Sequence, residues 1–95
     1  MKMHNPPPPR KIILEDYLKP LNITPSELAD SLDLPVQKVD EMLNGDRAID
    51  ADMAYRIGLA TRTTAESWLD MQQAYDLWQA EQEGDYTKVQ ELVTT

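Results

Sequence analysis

The chain has 95 residues, 17 aspartates and glutamates against nine lysines and arginines, a formal charge of -8, no cysteine and a single histidine, His4. This length suits one small domain; the composition leaves no disulfide framework, no thiol nucleophile and no Cys/His zinc site. The start, MKMHNPPPPRKI, lacks the apolar core of a secretory signal, and no later run approaches the ~20 apolar residues of a membrane span, so the expectation is a cytoplasmic protein with no membrane partner.

Residues 6–9 are four consecutive prolines, which cannot donate backbone hydrogen bonds and favour an extended conformation. Residues 1–9 therefore read as an arm carrying Lys2 and His4. A helix-turn-helix domain over residues 10–82 and an extension over residues 83–95 follow. In the first helix, Ile13, Tyr17, Leu18 and Leu21 recur at helical spacing, and Pro20 is expected to end or kink it.

Thr24, Pro25 and Glu27 combine an N-cap, a proline at the first helical position and a capping-box acid. The second helix then turns Leu28, Ala29 and Leu32 inward. A third begins at Pro35, with Val36, Val39, Met42 and Leu43 as its buried side, and Gly45 ends it. Between the two, Asp33 stands where glycine is common, and aspartate is among the few other residues that accept a positive φ. Leu34 plugs the core beneath this turn.

Asp50 caps a fourth helix with Met53, Ala54, Ile57 and Ala60 on its apolar face, and Thr64 caps a fifth with Trp68, Leu69, Met71, Tyr75 and Trp78. The tail holds Tyr86, Val89, Leu92 and Val93, a pattern that fits a short helix or a strand equally. The fold class is all-α, with five helices.

Two short helices around a tight turn are how many repressors place a helix in the DNA major groove. In the third helix, Gln37, Glu41 and Asn44 lie at i, i+4 and i+7 and share one outward face. Gln37 can pair with adenine, Lys38 can reach guanine or phosphate, and Asp40 and Glu41 can accept from the cytosine amino group; both acids also repel phosphates, so a merely solvated face is the competing reading. Arg47 follows the helix. Phosphate contacts would come from Arg10, Lys11 and the helix start at Thr24 and Ser26, a thin supply that dimerisation would double, with the two reading helices ~34 Å apart.

Acidity is concentrated late: residues 66–91 hold seven acids and only Lys88. Within it, the acidic stretch from Asp76 to Glu91 is either a solvated surface or a docking face for a basic partner. Trp78, Val89, Leu92 and Val93 form the candidate dimer interface, an apolar patch that a second subunit would cover. Carboxylates are plentiful, but none pairs by spacing as an acid/base couple. Neither catalysis, a cofactor nor a small-molecule substrate is expected.

The segment LADSLDLPVQKVDEMLNGDRAIDADMAYRIGLATRTTAESWLDMQQAYDLW resembles the HigA-type antitoxins, a branch of the Xre/Cro-like (lambda-repressor-like) helix-turn-helix proteins. The similarity runs over about residues 17–78, with Leu43, Asn44, Gly45, Ala54, Trp68, Leu69, Gln72 and Tyr75 at matching positions. It implies an antitoxin that neutralises a small ribonuclease toxin encoded beside it and, as a homodimer, represses their shared operon by binding operator DNA.

Overall fold

The computed structural model describes residues 5–93; Lys2 and His4 lie outside them. Five helices make up the architecture of the described residues. The first, α1, runs as Pro9–Ile12, a wider π-helical stretch Ile13–Leu18 and a last turn Lys19–Leu21. It is followed by α2 (Pro25–Leu32), α3 (Val36–Asn44), α4 (Ala51–Thr61) and α5 (Ala65–Glu83).

Pro20 sits one residue before the end of α1. Because proline offers no N–H to the ladder, the preceding bonds slip to five-residue spacing, with the Lys19 N–H meeting the Leu14 carbonyl. The helix then closes on Asn22 at φ 54°.

Four helix ends close in this way, on left-handed residues at Asn22, Asp33, Gly45 and Arg62. At Asp33 the Leu34 N–H bonds back to the Ala29 carbonyl (3.0 Å), and the Asp33 N–H to that of Asp30 (3.2 Å). This paired closure satisfies carbonyls that the helix end would leave orphaned. The aspartate accepts the conformation that the tight turn needs.

The core draws on all five helices: Ile13 and Leu18 from α1, Ala29 and Leu32 from α2, Val39, Met42 and Leu43 from α3, Met53, Ala54 and Ile57 from α4, and Trp68 from α5. The Trp68 ring packs 6.2 Å from that of Tyr17, and its indole N–H donates to the Thr63 hydroxyl at 2.7 Å. Leu28 and Leu34 are half-buried against this cluster.

Three sequence expectations are corrected. Val36 is exposed: it extends the Val39 stripe by one step, but the first turn of α3 projects past the core. Ala60 is also exposed, and Gly58 takes the buried place on α4, where an added Cβ would stand 3.0 Å from the Ala65 backbone nitrogen. Over residues 84–93 the tail is neither helix nor strand; its one turn closes through the Val89 N–H and the Tyr86 carbonyl.

The described residues measure 53 × 22 × 19 Å. Beyond Trp68 no α5 residue is fully buried. No helix among the described residues is long and apolar enough to cross a membrane.

Candidate nucleic-acid interface

The two helices of the motif differ at their starts. Helix α2 is closed by a complete capping box: the Glu27 N–H donates to Thr24 Oγ1 (3.1 Å) and the Thr24 N–H to Glu27 Oε1 (3.0 Å). Those bonds hold the Glu27 carboxyl below the usual glutamate range, the Thr24 backbone donor contributing most and its side chain next. Pro25 has no N–H. Of the anion position expected over residues 24–27, only the Ser26 N–H and the two hydroxyl protons remain as donors, beside a carboxylate.

Helix α3 starts on Pro35 with no side-chain cap, and no acid stands in its first turn. The N–H groups of Val36 and Gln37 therefore have no intrahelical carbonyl to meet. Gln37, Asp40 and Asn44 are exposed; Lys38 and Glu41 are half-exposed. These side chains and the exposed Val36 share the surface that α3 turns away from the core. The inward side is closed by Val39, Met42 and Leu43.

Each helix of the motif has an arginine from elsewhere at its C-terminal end. The Arg10 Nη1 donates to the Leu43 carbonyl at 3.2 Å, and its guanidinium lies over Gly45, where an added Cβ would come within 3.0 Å of Nε. Gly45 is favoured by its φ of 87°, which other residues rarely adopt. Arg56 donates through Nη1 to the carbonyls of Leu32 (2.9 Å) and Asp33 (3.0 Å) while its Nε holds Asp52 (2.9 Å). A cation at a helix C-terminus also complements the macrodipole.

The sequence places Arg10 among the phosphate contacts, and the structure gives its guanidinium a carbonyl partner within the chain. Lys11 is exposed, and neither it nor Lys38 has an ion-pair partner among the described residues. Arg47 reaches back to Glu41, Nη2 to Oε1 at 3.1 Å. The fold thus gives intramolecular partners to two of the cations that the sequence offers for DNA, Arg10 and Arg47.

Sequence reasoning missed Arg56 because its partners are backbone carbonyls 23 and 24 residues away. It also gave Gln72 no task. Gln72 Oε1 accepts the Ile49 N–H (3.0 Å) and its Nε2 donates to Asp76 (2.9 Å), tying the loop after α3 to α5.

The candidate dimer residues lie apart in character. Trp78 is half-buried, 6.2 Å from the Tyr75 ring, and borders a groove with residues 5–8, Arg10 and Lys11. Val89, Leu92 and Val93 stand exposed in the irregular tail.

No family model matches the sequence. Among curated proteins, the HTH-type transcriptional regulator YddM of Escherichia coli K12 is 32% identical over 94 residues, 99% of both chains. The regulator YbaQ of the same strain is 37% identical over 76 residues, 80% of this chain and 67% of that protein. Antitoxin HigA-1 of Vibrio cholerae is 33% identical over 63 residues, 66% of this chain and 59% of that one. Among solved structures, antitoxin GraA superimposes with a TM-score of 0.87 at 32% identity, covering 95% of this chain and all of that one.

The chain belongs to the HigA/GraA family of helix-turn-helix antitoxins. A second GraA structure, in complex with its operator, matches with a TM-score of 0.84 at 35% identity, over 99% of this chain and 97% of that one. Family membership accounts for the five-helix scaffold and for the continuation from Leu43 to Trp78 that a bare helix-turn-helix would not require.

Proposed function

We propose that this chain is an antitoxin that neutralises a ribonuclease toxin encoded beside it and, as a homodimer in the cytoplasm, binds operator DNA to repress their operon. It acts by binding rather than by catalysis. The observation that carries the DNA-binding part is the outward face of α3: Gln37, Lys38, Asp40, Glu41 and Asn44 project from a helix whose start is uncapped and whose back is locked into the core. The similarity to GraA, solved with its operator, supports the same reading.

Within that face Gln37 pairs with adenine, Lys38 takes guanine or phosphate, and the exposed methyls of Val36 fit the 5-methyl of thymine. Lys11, the hydroxyls of Thr24 and Ser26, and the Ser26 N–H take phosphates. Trp78 and the exposed Val89, Leu92 and Val93 pair two copies. The toxin docks on the acidic stretch from Asp76 to Glu91, where Asp76, Glu81, Glu83, Asp85 and Glu91 stand against Lys88 alone.

Footprinting of the full chain on its own upstream DNA tests the DNA-binding part, with co-expression of the neighbouring reading frame testing the toxin part. Two protected half-sites and rescue of growth are expected. A uniform footprint overturns operator recognition, and unrelieved toxicity overturns neutralisation.

A further inference from the structure

An acid in the middle of a DNA-reading helix would face phosphates on both sides of the groove. Glu41 does not stand there alone. Its Oε1 accepts from Arg47 Nη2 at 3.1 Å, and its backbone carbonyl accepts from the N–H groups of both Asp46 (2.8 Å) and Arg47 (3.2 Å). The chain reverses at Gly45, φ 87°, so Arg47 is fastened to Glu41 through main chain and side chain alike.

An ion pair this exposed, with the side chains 42% and 38% accessible, contributes little to folding. Its effect is on the charge and aim of Glu41. The pair is neutral, so it can enter the groove without net repulsion, and Oε2 has no bond among the described residues. A carboxylate oxygen in that position accepts from the cytosine amino group in the major groove.

We infer that Arg47 is a positioning residue, which neutralises and orients Glu41 so that the pair reads a cytosine, instead of a phosphate contact in its own right. This rests on the operator-binding reading above. The competing assignment, Arg47 on a phosphate, predicts a different pattern.

The test measures affinity for the upstream DNA and for versions substituted one base pair at a time, using the unsubstituted chain, Glu41→Gln, Arg47→Ala, Arg47→Lys and the double variant. Exposure of both side chains predicts unchanged melting for all four. Glu41→Gln and Arg47→Ala should lose discrimination at the same C·G pair by about 5- to 10-fold, with Arg47→Lys restoring part of it. The double variant should match either single one in its selectivity and keep the salt dependence of the unsubstituted chain.

Uniform weakening across all sequences that persists in the double variant, with its salt slope reduced by about two units, one per subunit, places Arg47 on a phosphate and overturns the inference alone. Loss of selectivity at different base pairs overturns it too. If the unsubstituted chain shows no selectivity, operator recognition fails and the inference falls with it.

Discussion

Helices α2 and α3 are similar in length, eight and nine residues, and sit on either side of one turn, yet their ends are finished differently. The start of α2 is sealed by Thr24 and Glu27, whereas α3 begins on Pro35 with no side-chain cap. Both finish on a left-handed residue with an arginine brought in from another helix. The difference separates a supporting helix from a presented one. Sealing α2 removes its start as a strong anion site, while α3 keeps open donors at the end that would approach DNA.

The same contrast resolves the conflict between net charge and DNA binding. The -8 is dominated by α5 and the tail, and α3 itself carries only Asp40 and Glu41 against Lys38, with Arg47 folded onto Glu41. On the proposed reading, affinity depends on few phosphate contacts, and selectivity on the face of α3.

Removing the tie between the turn and α4 should have the largest effect. Arg56→Ala leaves the partly buried Leu32 carbonyl without a donor, so unfolding in urea should show a loss of about 1–3 kcal/mol, with base selectivity retained well below the transition. Opening the sealed end comes next: Thr24→Ala should cost about 1 kcal/mol of stability and leave the selectivity profile intact. A comparable loss of selectivity would mean that α2 is also a reading element.

On the presented helix the expected pattern reverses. Lys38→Ala should leave the melting temperature nearly unchanged while weakening operator binding and, if each Lys38 of the dimer meets a phosphate, lowering its salt slope by about two units, measured by anisotropy. The smallest effect concerns pH. The Glu27 carboxyl titrates below its usual range in the folded chain, so its contribution is present above that range and is lost as the pH falls through the folded-state value. Thermal melts should show this acid-side decline, and Glu27→Gln should flatten it.

What sequence revealed of these helices follows from the range of each interaction. Thr24, Asp50 and Thr64 were readable as caps because each bonds an N–H three residues on, within the span that a local motif encodes. Gly45 was readable through its conformational preference. Arg62 carries no such signal, yet it adopts φ 58° at the end of α4. Arg10 and Arg56 were out of reach because their partners are carbonyls, which any residue supplies, at separations of 33, 24 and 23.

Val36 shows a limit of periodicity: spacing assigns a helix face but does not say where along the helix the core stops. Gln37, Glu41 and Asn44 stay at the surface because they lie opposite Val39, Met42 and Leu43, all buried. The Glu41–Arg47 pair spans six residues through a reversal at Gly45, a geometry that helical spacing does not represent.

The most direct test is fluorescence anisotropy of the full chain on its own upstream DNA and on a scrambled duplex, over a salt series. The account predicts clear preference for the upstream sequence at every salt concentration, with a shallow slope of about -2 to -5 for a dimer that neutralises few phosphates. Equal affinity for both duplexes would contradict it, and would leave the face of α3 as a surface for protein rather than DNA.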